Sequence, residues 1–236
     1  MKAIGFFSSI GSSGCTMLSV SFAKTLATRG KSVLHIFGSG TESYSFIEKN
    51  NALSLDDIRL SLIANNLSED ELSDTVKKLD DIHIISSSKK YLLANTFPVN
   101  TFQQIIERLR NFDYVIIDAG CEFRTALTMS ALCCCDYNVF SLKQQPRCIS
   151  RFLELESSVL KGFANISVVL NMYINDKALY SEEDIAYLLK SKILASIPFL
   201  QLGYYAEIER RTLIQQKKYK RAVDILIDNL IGELNA

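Results

Sequence analysis

The sequence predicts an α/β fold: a doubly wound, mostly parallel sheet with helices on both faces. Three observations lead there. Short apolar runs alternate with stretches of helical periodicity along most of the chain, the pattern of successive βαβ units with right-handed crossovers. The run around Val115-Ile116-Ile117 is continuously apolar rather than alternating, which suits a parallel strand covered on both faces. The first apolar run passes through a loop of small residues straight into a helix.

Lys2-Ala3-Ile4-Gly5-Phe6-Phe7 predicts the first strand, and Ser8 to Cys15 the loop. From Thr16 the apolar positions Leu18, Val20, Phe22, Ala23, Leu26 and Ala27 recur at helical spacing until Arg29-Gly30 stops them. Residues 32–37 follow as a second strand. The next stretch is more polar, with Gly38-Ser39-Gly40 and Asn50-Asn51 as turn signals and helices expected over 55–65 and 69–79. Ile82–Ile85 is a strand, a loop runs to Pro98, and Phe102, Ile105, Ile106 and Leu109 mark a helix leading to the strand 113–118. The alternation continues with a helix over 125–132, strand 137–142, helix 150–160 and a strand over 167–170 that ends in Asn171. An Asn175-Asp176 turn, a helix over 182–189 and a strand over 193–197 ending at Pro198 complete the sheet. A last helix over 216–235 has Tyr219, Val223, Leu226, Ile227, Leu230 and Leu234 as one apolar stripe and should dock on the rest. Without repeats, low-complexity tracts or a linker, residues 1–236 are expected to form a single domain.

At 236 residues and 48% hydrophobic content, with three prolines, the chain can bury a sizeable core. Lys+Arg and Asp+Glu balance at 26 each, so the charge gives no case for gripping nucleic acid. No stretch reaches about 18 uninterrupted apolar residues, and a cytoplasmic location is expected. Of six cysteines, at 15, 121, 133, 134, 135 and 148, three are adjacent, which suits reduced thiols better than a disulfide framework. Cys133-Cys134-Cys135 are either metal ligands or small side chains packing at a helix end; consecutive side chains diverge on any regular element, which favours packing.

In doubly wound sheets, ligands bind beyond the carboxyl ends of the strands. The first exit offers Gly11, Ser12, Ser13 and Gly14, small enough for the main chain to approach a phosphate, followed by a helix N-terminus. The pattern G-x-x-x-x-G-K-[ST] would place glycine at Ser9 and lysine at Cys15, and both are missing. Thr16 stands where a magnesium-binding hydroxyl belongs. The second exit is Phe37-Gly38-Ser39. The third, Asp118-Ala119-Gly120, puts a carboxylate after apolar positions, suited to holding magnesium through water or to capping the next helix. The fourth is Asn171, whose amide suits a base edge or a turn.

In their order these segments resemble the MinD/ParA-type P-loop ATPases of the SIMIBI class, and more narrowly the TadZ/CpaE group of pilus and secretion localisation proteins. The family's loop looks like K-G-G-x-G-K-[ST]-[ST], its second strand ends in D-x-D, an aspartate opens a D-[AT]-[PA]-[AG] turn, and later strands end in an asparagine and an I-P segment. Here these correspond to Ile10-Gly11-Ser12-Ser13-Gly14-Cys15-Thr16-Met17, Phe37-Gly38-Ser39, Asp118-Ala119-Gly120, Asn171 and Ile197-Pro198. TadZ/CpaE loops often carry a small residue where Cys15 stands. The resemblance implies ATP or ADP with Mg2+: Gly11 to Met17 around the phosphates, Thr16 and Asp118 toward the metal, and Asn171, Pro198 and Phe199 toward adenine. It also implies a homodimer, protein partners in a pilus or secretion machine, and membrane recruitment through those partners. Ile10, Cys15, Phe37 and Ser39 depart from the family's lysines and aspartates, so weak or lost nucleotide binding and little or no hydrolysis are expected. Two alternatives remain: an active, slow ATPase in which Lys143, after the strand 137–142, supplies the missing charge, and an iron–sulfur or metal-handling relative using Cys121.

Overall fold

A computed structural model describes residues 1–39, 53–163 and 165–234. Gly40 and Asn50-Asn51, where turns are expected, lie outside these described residues. Among the described residues, eight strands form one sheet, ordered β3-β4-β2-β5-β1-β6-β7-β8, from β1 (Lys2–Ser8), β2 (Val33–Phe37), β3 (Lys77–Leu79), β4 (Ile82–Ile85), β5 (Tyr114–Gly120), β6 (Tyr137–Leu142), β7 (Ile166–Tyr173) and β8 (Ile193–Pro198). Every pairing is parallel except that of β3 with β4. The expected doubly wound, mostly parallel fold is therefore present. β1 lies centrally between β5 and β6, and the chain winds outward from it in both directions, so its carboxyl end is the switch point where such sheets bind ligands.

Successive side chains leave a strand on opposite faces, and the central strands are apolar on both. Ile4, Phe6, Val33, Ile116, Val139 and Val169 join one buried cluster with the helices α1 (Cys15–Thr28) and, at the chain end, α9 (Lys217–Leu234). Phe7, Leu34, Ile36, Ile117, Phe140 and Leu170 join the other. That second cluster is covered by α4 (Thr101–Arg108), α5 (Ala126–Cys134), α6 (Pro146–Ser157) and α7 (Glu182–Leu189). Phe7 stacks on Phe140 with ring centroids 5.3 Å apart, and Phe140 meets Phe152 of α6 edge-on.

Several boundaries depart from the sequence expectation. The helix expected over 55–65 is limited to α2 (Arg59–Ile63). The one expected over 69–79 ends as α3 (Glu69–Thr75), closed at its start by a reciprocal Ser68–Glu71 capping box, and residues 77–79 pair with β4 instead. The loop before Pro98 holds a 3-10 turn, Tyr91–Asn95. α6 begins at Pro146 rather than 150, because proline at the first helical position lacks only an N–H that would be unpaired there anyway. β7 runs past Asn171 to Tyr173, and the short α8 (Gly203–Ile208) has no counterpart in the expectation.

Buried Tyr219, Val223, Leu226, Ile227 and Leu230 of α9 lie among the first cluster, and Arg29, just past the end of α1, pairs with Asp224 at 2.7 Å and Asp228 at 2.6 Å. Among the described residues no helix is long and apolar enough to cross a membrane.

Candidate functional site

The loop between β1 and α1 bends sharply because Ser12 (φ 56°) and Gly14 (φ 73°) both take the left-handed conformation. Gly14 is confined as well: a Cβ there would stand 2.9 Å from Met172 Cε and 3.0 Å from Asn171 Nδ2. Asn171 donates from Nδ2 to the Ser13 carbonyl at 2.9 Å and accepts the Met172 N–H on Oδ1 at 3.0 Å. The Nδ2 end of its amide thus ties the loop to β7, while Oδ1 is held by the next residue of its own strand. At the loop's root, Ser8 Oγ donates to the Ile10 carbonyl at 2.7 Å and Ser9 Oγ to the Cys148 carbonyl at 2.8 Å.

These contacts leave the interior of the loop open. No side chain caps α1, and the main-chain N–H groups from Gly11 to Thr16 have no hydrogen-bond partner among the described residues. Orphan N–H groups at a helix start, with the helix dipole behind them, form a site for an anion. They face a cavity of about 600 Å³, within the usual range for small-molecule sites.

Thr16 lines that cavity, and Asp118, near the end of β5, is 2% exposed and lies outside the lining, hydrogen-bonded to the Thr16 side chain. Burial pushes the Asp118 carboxyl up to about 6, against the opposing pull of the Thr16 and Cys15 side chains and the Gly120 N–H. Its Oδ1 has no hydrogen-bond partner. An orphaned, desolvated carboxylate oxygen beside a threonine hydroxyl fits a hard cation such as Mg2+. Cys15, in the place of the loop lysine, is a buried thiol pushed well above its ordinary range, first by burial and then by Asp118. It brings neither a positive nor a negative charge.

The other departures are filled in by packing. Ile10 is partly buried against the core. Phe37 is fully buried with its ring centroid 4.4 Å from that of His35, and Ser39 lines the cavity next to Gly120. Pro198 and Phe199 form another wall, next to Asn171 and Met172. Lys143 and Cys121 also line the cavity, so residues from the ends of β1, β5, β6, β7 and β8 converge there. Sequence reasoning missed Tyr204 of α8 and Tyr219 of α9, which also line the cavity together with Glu122, Leu200, Glu207 and Leu213. The aromatic pair Tyr204-Tyr205 just after the Ile197-Pro198 segment was the available signal for the first; Tyr219 reads only as part of an apolar stripe.

The cysteine triplet ends α5, with Cys134 and Cys135 partly buried against the core and Cys133 exposed. Burial raises the thiols of Cys133 and Cys135, the latter well above the ordinary range, and that of Cys121. Among the described residues no group of three or more His, Cys, Asp or Glu side chains is placed to hold a metal ion.

No family model matches the sequence, and no curated protein does. The fold has solved counterparts. The septum site-determining protein MinD from Pyrococcus horikoshii, complexed with Mg-ADP, superposes with a TM-score of 0.81 at 18% identity, covering 98% of this chain and 97% of that one. A ParA family ATPase from Chlorobium tepidum gives 0.80 at 17% identity, with 96% and 97% covered. A plasmid partition protein from Borrelia burgdorferi bound to AMPPNP gives 0.78 at 16% identity, with 98% and 99% covered. Likeness at this identity establishes the MinD/ParA-like P-loop fold and nothing finer.

Proposed function

We propose that the chain is a MinD/ParA-type nucleotide-binding protein that holds ATP or ADP with Mg2+ and hydrolyses ATP negligibly. The observation that carries this reading is the coexistence of an open cradle of N–H groups from Gly11 to Thr16 with uncharged side chains at Ile10, Cys15, Phe37 and Ser39. The loop N–H groups would hold the phosphates, and Thr16 with Asp118 the cation, which neutralises phosphate charge when bound. Met17 continues the helix start behind them. Asn171 fixes the loop, and Pro198 with Phe199 offers the adenine an apolar wall. Phosphoryl transfer depends on positioning and charge neutralisation, and the loss of one cationic contact can cost about three orders of magnitude. Phe37 is immobilised in the core and Ile10 is partly buried against it, so neither can take over a charged residue's task.

The purified protein should therefore release no phosphate from ATP above a boiled control while binding ADP measurably by calorimetry. Cys15→Lys should raise the affinity without creating turnover, since the water-positioning carboxylates remain absent. Magnesium-dependent phosphate release that disappears in Asp118→Ala would establish the slow-ATPase alternative instead.

The resemblance of the Ile10 to Met17 loop to the TadZ/CpaE pattern supports a role as a localisation or assembly factor of a pilus or secretion machine, working through protein partners at the inner face of the membrane. We further propose a homodimer joined across the nucleotide face. With no charge at Ile10 to couple association to a partner's phosphate, dimerisation should be independent of nucleotide. Light scattering should show the same dimer mass with and without ATP at tens of micromolar; a monomer in both conditions would refute the assembly.

A further inference from the structure

The loop has lost two lysines, yet the cavity it faces still contains one cation. Among the described residues that line it, Lys143 is the only Lys or Arg, and Glu122 and Glu207 are the acids. It follows directly on β6, whose Ser141 pairs with Ser8 at the end of β1 and whose Leu142 pairs with Leu170 on β7. Its main chain therefore emerges between the phosphate-type loop on one side and Asn171, which holds that loop, on the other.

The position is anchored. The Lys143 N–H donates to Cys148 Sγ at 3.3 Å, and the same sulfur lies 3.1 Å from Ser9 Oγ, which donates to the Cys148 carbonyl. Cys148 and Ser9 are both buried, so the root of the loop and the backbone of Lys143 share one interior clamp. The side chain beyond that clamp is uncommitted. Lys143 is half-buried, and its ammonium makes no ion pair or hydrogen bond among the described residues. Other lysines near acids have found them, as Lys24 pairs with Asp80 and Lys220 with Asp224. A half-buried lysine lining the same cavity as a row of unpaired loop N–H groups is complementary to one class of ligand, a polyanion seated between them.

Given the nucleotide-binding reading above, on which this rests, we propose that Lys143 grips the polyphosphate of a nucleoside di- or triphosphate, approaching from the neighbouring strand in place of the lysines lost at Ile10 and Cys15. The cation has moved from the loop to the strand beside it. A charge there contributes to binding phosphates but leaves Phe37 and Ser39 unable to position water, so it restores affinity and not turnover.

The test compares the full chain with Lys143→Met, which keeps the length and removes the charge, and with Lys143→Arg. Binding of ADP, ATP, inorganic tripolyphosphate and adenosine is measured by calorimetry, and ligand-free thermal unfolding checks the fold. Loss of a charged hydrogen bond predicts about 30-fold weaker binding of ADP, ATP and tripolyphosphate in Lys143→Met. Adenosine affinity and ligand-free unfolding should be unchanged, and Lys143→Arg should retain most of the binding. If the wild-type chain binds ADP and Lys143→Met binds it equally well, this assignment falls while the nucleotide reading stands. If the wild-type chain binds no ADP at millimolar concentration, both fall.

Discussion

A chain ending at Gln216 is expected not to fold, because α9 completes the core of one sheet face. Tyr219, Val223, Leu226, Ile227 and Leu230 are each at most 2% exposed there. Burial of one large apolar side chain contributes about 1.5–3 kcal/mol, so five approach the whole stability of a typical domain, about 5–15 kcal/mol. Point variants make the expectation graded. Leu226→Ala should lower unfolding stability by about 2–5 kcal/mol through the cavity it leaves. Arg29→Ala, which breaks partly exposed ion pairs with Asp224 and Asp228, should cost no more than about 1 kcal/mol. Urea denaturation of the two variants measures both, and equal small effects would show that α9 rests loosely on the domain. The same packing bears on membranes. The apolar stripe that an amphipathic helix would present to a lipid surface is here already buried in the protein. The exposed run Lys217, Lys218, Lys220 and Arg221 carries charge without free apolar surface beside Tyr219, and one signal of the two gives weak attachment. The full chain should stay in the pellet when anionic liposomes float; co-flotation would mean that α9 leaves its seat.

Most of the frame could be read from apolar periodicity alone, since Tyr137–Leu142 and Glu182–Leu189 match β6 and α7 residue for residue. Periodicity fails where an element is held by its neighbours instead of its own pattern. Lys77-Lys78-Leu79 is a three-residue edge strand with polar side chains, and only its pairing with Ile82–Ile85 makes it a strand. Pro146 carried a start signal for α6 that the apolar spacing from residue 150 obscured. At the site, the loop was legible because small residues at a strand-to-helix junction have few other uses. The tie of Asn171 to the Ser13 carbonyl was not, because it is a contact across 158 residues of sequence. The same holds for Tyr219, placed at the cavity by a helix that returns from the far end of the chain.

The buried histidine of β2 should make the protein acid-sensitive in a window that one substitution removes. His35 is 0% exposed, and burial alone brings its imidazole down from 6.5 to about 3. Ser19 Oγ donates to the Thr16 carbonyl at 3.0 Å, which leaves its lone pair to accept from His35 Nε2–H, also at 3.0 Å. Nδ1 is then the unprotonated nitrogen, and it has no partner. A proton added there would sit in the core without an acceptor. The unfolded chain takes up a proton below about pH 6.5 that the folded chain refuses until about pH 3, so stability falls as the pH drops through that interval, by about 1.4 kcal/mol per unit. Asp118 works in the opposite sense. Its folded value of about 6 lies above the ordinary 3.8, so the folded chain gains its proton first, and stability rises as the pH falls between those values. In the wild type the two partly cancel, and comparison of variants separates them. His35→Leu, measured by urea denaturation from pH 7.5 to 4, should gain on the wild type by about 1.4 kcal/mol per unit below pH 6, reaching about 3 kcal/mol at pH 4. Asp118→Asn should be more stable than the wild type by up to about 3 kcal/mol at pH 7.5, with the advantage gone by pH 4. Curves that run parallel to the wild type for His35→Leu would mean that water reaches the imidazole, and that its link through Ser19 to the Thr16 carbonyl does not hold the start of α1 in place.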